Sequence, residues 1–135
     1  MSESLSASSP AALRGLVVDD NQGHRQALGA ILTALGIEAE TAEDGLEAFE
    51  KLQIRAYDIV LMDISMPRMD GLTALRNFRS WETDHAIVRT PVVMVTSHDS
   101  LDDRLASIGA GADQHIGKPV GLAPMLAALE QVLNA

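Results

Sequence analysis

The sequence predicts an α/β fold of three layers, a doubly wound (βα)5 chain around a five-stranded parallel sheet. Three observations predict it. Short runs of aliphatic and β-branched residues recur along the 135 residues, apolar throughout, as strands buried on both faces are. Segments of helix length, with apolar residues at i, i+3 and i+4, lie between them. The runs also stop abruptly at polar residues: Leu16-Val17-Val18 at Asp19-Asp20, Ile59-Val60-Leu61-Met62 at Asp63, Val92-Val93-Met94-Val95 at Thr96-Ser97, and a shorter one around Ile116 at Lys118-Pro119.

The first strand is placed at about Arg14 to Val18. Leu28, Ile31, Leu32 and Leu35 carry the first helix, and Gly36 closes it. Ile37-Glu38-Ala39-Glu40-Thr41 alternates acids with small groups, the pattern of an edge strand with one wet face. Asp44 followed by Glu47 marks a second helix start, and Leu46, Phe49 and Leu52 form its stripe. After the strand ending at Asp63, Pro67 and Gly71 punctuate a loop, and Leu72, Leu75 and Phe78 carry the third helix. A long connector is expected from about Ser80 to Pro91, with the only tryptophan, Trp81, as a local packing anchor within it. Ser100 with Asp103 starts a fourth helix carried by Leu101, Leu105 and Ile108, and Gly109 and Gly111 end it. Leu122, Met125, Leu126, Leu129, Val132 and Leu133 make the last. With right-handed crossovers, the flavodoxin-like order 2-1-3-4-5 puts the alternating second strand and the short fifth strand at the two edges. It also makes strands 1 and 3 neighbours at the switch point, where such sheets bind ligands.

Composition narrows the function. Ten Lys and Arg against nineteen Asp and Glu give a net charge of −9, which disfavours gripping a phosphate backbone. No cysteine is present, so disulfide frameworks and thiolate metal sites are excluded. No stretch has the apolar length of a membrane span, and residues 1–12 lack the basic leader and apolar centre of a secretory signal. The Ser-rich start predicts a disordered tail over residues 1–12 and one domain over 13–135, in the cytoplasm.

The strand order brings Asp19, Asp20, Asp63, Thr96 and Lys118 to one crevice. Three carboxylates repel unless positive charge sits among them. Lys118 supplies one charge, and an all-oxygen donor set favours Mg²⁺, or Mn²⁺, as the other. Cation, ammonium and hydroxyl around one carboxylate form a clamp for phosphoryl transfer, and Asp63 reads as the phosphoacceptor. Thr96 and Lys118 taken singly are ordinary strand-end residues; the constellation gives them meaning.

Val17-Val18-Asp19-Asp20-Asn21, Val60 through Gly71, Val95-Thr96-Ser97 and Lys118-Pro119 together resemble the receiver domains of two-component response regulators, over roughly Leu13 to Leu133. The resemblance implies that Asp63 takes a phosphoryl group from a sensor histidine kinase or a histidine phosphotransfer protein. It implies Asp20 as a direct Mg²⁺ ligand, Asp19 acting largely through water, and the Ser65 backbone carbonyl completing the protein set. Lys118 would pair with the phosphoryl group, Thr96 would move to bond it, and Lys118-Pro119 would be cis. His115 occupies the position three residues before the lysine where receivers often carry a Tyr or Phe switch, so its charge would make that switch pH-sensitive. His98 sits where family members vary and would tune dephosphorylation; His24 reads as a solvated residue of the first helix. Receivers commonly signal through the fourth helix, fifth strand and fifth helix, which here include Arg104 and His115.

The expected protein is therefore a phosphoacceptor switch rather than an enzyme, with at most self-phosphorylation and slow autodephosphorylation. It would be a monomer or a phosphorylation-dependent dimer that contacts a downstream protein, and neither nucleic acid nor membrane directly. Seventeen residues follow Lys118, enough for one helix, and Met1 with its Ser-rich start favours a stand-alone regulator over a receiver cut from a hybrid kinase. An interaction module that works without phosphorylation is a further alternative. A phosphohydrolase would carry a second acid two residues after the nucleophile, where this chain has Ser65, and no Gly-x-x-x-x-Gly-Lys run exists for a P-loop.

Overall fold

The computed structural model describes residues 13–134, so the tail expected over residues 1–12 lies outside the described residues. Five strands, β1 (Arg14–Val18), β2 (Glu38–Ala42), β3 (Ile59–Met62), β4 (Val92–Thr96) and β5 (Gln114–Gly117), alternate with five helices, α1 (Gln22–Ala34), α2 (Gly45–Ile54), α3 (Gly71–Asp84), α4 (Leu101–Ala110) and α5 (Leu122–Leu133). The sheet is parallel throughout, in the order β2-β1-β3-β4-β5. This is the doubly wound architecture that the spacing of the runs predicts.

Period-2 geometry splits each central strand between two cores. Leu16, Val18, Val60, Met62, Val92 and Met94 face α2 and α3 residues such as Leu52, Leu75 and Phe78. Val17, Ile59, Leu61, Val93 and Val95 face Leu28, Leu32, Met125 and Leu129 of α1 and α5. Four of the five helices begin where a side chain can take up orphan amides, and α5 starts after Gly121 without one. Asn21 accepts from the His24 amide, Asp44 from Glu47 and Asp70 from Thr73. Ser100 and Asp103 close a reciprocal capping box on α4. Gly36 at φ +82° and Gly111 at φ +108° terminate α1 and α4 in the left-handed region that glycine enters without strain.

Two expectations need correction. Helix α3 runs on to Asp84, so the connector is shorter than Ser80 to Pro91 and Trp81 is helical. Its indole stacks on Phe78, 6.0 Å away, and on His85, 4.8 Å away, extending the buried stripe one turn. Glu82, polar but 4% exposed, also belongs to the helix, because Arg79 neutralises it and the Thr90 amide donates to it. The second correction concerns α4. Leu101, Leu105 and Ile108 are 71%, 60% and 56% exposed, and the helix instead turns Ser107 and Ala110 to the sheet. Small residues let the helix approach, and the larger apolar ones point outward.

Arg79 ties together three segments at the end of the sheet opposite the strand C-termini. Its guanidinium donates to the carbonyls of Gly111 and Thr90 and pairs with Glu82 and Asp113. Asp113 in turn accepts from the Val92 amide and pairs with Arg89.

At the β2 edge, Glu40 is less wet than its alternation suggests. Tyr57 donates to it at 2.8 Å, and Arg55 and Arg14 pair with it. Burial, joined by the Glu40 carboxylate, pushes the Tyr57 phenol up to about 12 from 10.0. A raised folded-state value means that the stabilisation is complete below pH 10.0 and is lost as pH climbs towards about 12. Tyr57→Phe is therefore expected to flatten the alkaline limb of the stability curve, measured by urea unfolding from pH 7 to pH 11.5. Identical alkaline slopes in the two proteins would refute the assignment.

Candidate functional site

Register carries the polar strand ends to one place. Val18 lies opposite Met62 across the β1–β3 pair, so Asp19 and Asp63 emerge side by side, with the Asp63 amide donating to the Val18 carbonyl at 2.9 Å. Thr96 lies opposite Gly117, and the Lys118 amide donates to the Thr96 carbonyl. The Lys118-Pro119 peptide is cis.

Asp19 and Asp63 are buried and Asp20 is exposed, yet the three offer carboxylate oxygens within 4.8 Å of one another. Lys118 Nζ donates to Asp19 Oδ2 at 2.5 Å and to Asp63 Oδ2 at 2.9 Å. Asp63 Oδ1 accepts from the Ile64 amide, and Asp19 Oδ1 from the Asn21 amide. Burial by itself would raise the Asp63 pKa; the Thr96 hydroxyl, the Lys118 ammonium and the Ile64 amide outweigh it and hold the carboxyl below its ordinary value. Burial would likewise lower Lys118, but Asp19 and Asp63 prevail and its pKa is raised. The Asp63 carboxylate is thus ionised at neutral pH, held beside a protonated ammonium. One ammonium cannot balance three carboxylates. The residual negative charge and the all-oxygen donor set suit a hard divalent cation, so this cluster could hold a metal ion.

The wall of the cup is the loop from Asp63 to Gly71. The Gly71 amide donates to the Ile64 carbonyl, and Gly45 at the start of α2 donates to the Met69 carbonyl. Arg68, at φ +65°, pays for its left-handed backbone with an ion pair from Nε to Asp44 at 2.8 Å. Burial would raise Asp44, but Arg68 and the Glu47 amide hold its carboxyl below the usual range. Ser65 lies exposed in this loop, two residues beyond Asp63.

Thr96 is fully buried, and its hydroxyl accepts from the His98 amide at 3.2 Å. His115 is 7% exposed on β5, with Nδ1 2.8 Å from Ser107 Oγ and Nε2 3.2 Å from Asp99. Asp99, three residues past Thr96, also pairs with Arg104 at 2.7 Å. The loop between β4 and α4 is thereby fastened to β5. Two contacts of α1 have no counterpart in the strand-end motifs. His24, read as solvated, reaches Lys118, and Arg25 donates to the Asp19 carbonyl at 2.7 Å. The spacing of α1 relative to Asp20 is the only signal that could have flagged them.

Residues 16–130 match the profile of the response regulator receiver domain. The chain belongs to that family. Among curated relatives of the receiver domain, the response regulator MprA of Mycobacterium sp. (strain KMS) is 37% identical over 122 residues, covering 90% of this chain and 51% of the relative. The receiver domain thus spans about half the length of the curated relatives it matches. Among solved structures, the chemotaxis protein CheY4 of Vibrio cholerae superposes with a TM-score of 0.81 at 31% identity, covering 91% of this chain and all (100%) of that one. The receiver domain of a sensor histidine kinase from Pseudomonas aeruginosa, with magnesium coordinated in its active-site cleft, gives a TM-score of 0.83 at 28% identity, covering 93% and 100% of the two chains. Among the described residues no helix is long and apolar enough to cross a membrane.

Proposed function

We propose that Asp63 accepts a phosphoryl group from a phosphohistidine on a sensor kinase or phosphotransfer protein, in a Mg²⁺-dependent step, and that the domain then signals in the cytoplasm through protein contacts. The observation that carries this reading is the meeting of Asp19, Asp20, Asp63 and Lys118 at the C-terminal ends of β1, β3 and β5. An ionised Asp63 oxygen attacks phosphorus in line, the phosphorus–nitrogen bond of the donor breaks, and its imidazole leaves with the electron pair. Asp19, Asp20 and Asp63, with the Ser65 carbonyl, are the groups that would hold Mg²⁺, or Mn²⁺; when bound, the ion neutralises charge on the transferring oxygens. Lys118 pairs with a phosphoryl oxygen, and Thr96 turns its hydroxyl to another. Net turnover as a phosphatase is slow, since Ser65 offers no carboxylate to activate water. Labelling with acetyl phosphate is expected to require Mg²⁺ and to vanish in Asp63→Asn. Labelling of that variant, or labelling undiminished by a chelator, would end this reading.

The move of Thr96 pulls on the Asp99 fastening, and His115 is the switch residue on its far side. Asp99 faces the imidazole, Arg104 pairs with Asp99 and donates to the His115 carbonyl, Ser107 holds the other ring nitrogen, and Asp103 lies in the field of the ring. A charged imidazole grips Asp99 more firmly than a neutral one. The shift of the Thr96 amide resonance on phosphorylation should therefore depend on pH in the wild type and lose that dependence in His115→Phe. An unchanged pH response in the variant would dismiss His115 as a switch.

The relatives' greater length and the likeness to a receiver belonging to a sensor kinase support a second reading, a receiver joined to further domains. An immunoblot of the native protein separates the two: a band near 14.4 kDa supports the stand-alone regulator, and a larger one the joined form.

A further inference from the structure

An ammonium carries three N–H donors, and in this site each has a partner. Two go to acids, Asp19 and Asp63. The third goes to His24, whose Nδ1 lies 2.8 Å from Lys118 Nζ. We infer that His24 is a positioning residue for Lys118, the third acceptor that fixes how its ammonium meets a phosphoryl group on Asp63. The inference rests on the phosphoacceptor reading above and adds a residue that the strand-end motifs do not contain.

The placement of His24 is built rather than incidental. Its amide is the one that the N-cap residue Asn21 takes up, so the residue sits in a fixed first turn of α1. The next residue, Arg25, anchors that turn to the Asp19 carbonyl. Leu28, one turn on, is buried in the core beneath α1. Beside the imidazole lies a mostly apolar recess of about 400 Å³, lined by Ala27, Leu28, Ile31, Pro119 and Val120. Lys118 and His24 form its polar lip, half of the His24 side chain remaining exposed.

An imidazole that accepts at Nδ1 is neutral and carries its proton on Nε2. It therefore gives Lys118 an acceptor without adding a fourth negative charge to a cup that already has three. With only Asp19 and Asp63 as partners, the third N–H has no acceptor and the ammonium can rock about the line joining the two carboxylates. When phosphoryl arrives, the donor aimed at Asp63 turns to a phosphoryl oxygen. Asp19 and His24 keep the other two, and the ammonium pivots in place.

Asparagine tests this directly, because its Oδ1 stands where Nδ1 of histidine stands, whereas leucine fills the space and accepts nothing. Phosphorylation by acetyl phosphate at saturating Mg²⁺ is measured for wild type, His24→Leu and His24→Asn. His24→Leu is expected to label about tenfold more slowly, part of the roughly 10²-fold that a 1 Å misplacement at a reacting centre costs, with an unchanged half-saturating Mg²⁺ concentration. His24→Asn restores the rate. A ¹H–¹⁵N signal from the Lys118 ammonium should be visible in wild type and His24→Asn and broadened away in His24→Leu, with no phosphate present. A leucine variant as fast as wild type, or an asparagine variant as slow as leucine, overturns the inference and leaves the phosphoacceptor reading standing. Should wild type itself fail to label, that reading falls instead, and persistence of the ammonium signal in His24→Leu then decides against His24.

Discussion

Gly71→Ala is expected to damage both stability and phosphoryl acceptance, although it adds a single methyl group. A Cβ at this position would fall 2.0 Å from the Asp63 carbonyl oxygen and 3.0 Å from its carbon. The obstacle is main chain, so no rotamer change relieves it. Either α3 backs away from the sheet or the backbone of Asp63 shifts. Overpacking typically costs about 1–3 kcal/mol, and an immovable neighbour places this substitution at the top of that range. For a domain of this size that corresponds to a melting temperature lower by about 10 °C. Because the displaced atoms belong to Asp63, labelling by acetyl phosphate should fall further than the loss of folded protein explains. Gly109→Ala is the matched control: nothing lies within 4 Å of its added Cβ inside α4, so it should be neutral or slightly stabilising. If Gly71→Ala melts with the wild type, the close approach at the head of α3 is not a constraint.

Arg79→Ala is expected to cost about 3–5 kcal/mol, the usual penalty for stranding half of a buried ion pair. Such a loss is a large part of the roughly 5–15 kcal/mol by which domains are stable. Four acceptors lose their donor at once: the Gly111 and Thr90 carbonyls, Glu82 and Asp113. Arg89 still reaches Gly111 and Asp113, so those two are partly covered. Glu82 has no second cation among its described contacts and is almost wholly buried, so most of the cost falls there. Lysine should not rescue, since a point charge cannot fill a planar fork that addresses four groups. The midpoint of urea unfolding reads the effect. A shift worth less than about 1 kcal/mol, the level of a surface ion pair, would show that the network is dispensable.

How much of this was legible in the sequence depends on the interaction range involved. The strands announce themselves because burial on both faces demands unbroken apolar runs, and Ile59-Val60-Leu61-Met62 has no other economical reading. Once the strand order follows, Asp19, Asp63, Thr96 and Lys118 must converge, and they do. Helix faces were harder. In α4 the apolar residues stand outside and Ser107 and Ala110 inside, because close packing against the sheet selects for size before polarity. Glu82 and Trp81 read as connector in the sequence because a buried carboxylate is intelligible only with Arg79 and the Thr90 amide beside it. The contact of His24 with Lys118 spans 94 positions and follows no periodicity, so the place of His24 in the first turn after Asp20 is its one trace in the sequence.

The two-faced burial of β1 and β3 has a kinetic corollary. Neither strand has a hairpin partner, and each waits for helical crossovers on opposite sides before its amides and side chains are satisfied. No half of the molecule can therefore shelter Asp19 and Asp63 alone. Amide hydrogens at Val17 and Leu61 should exchange with solvent only when everything opens together, so the acidic cup and the cooperative integrity of the domain rise and collapse as one.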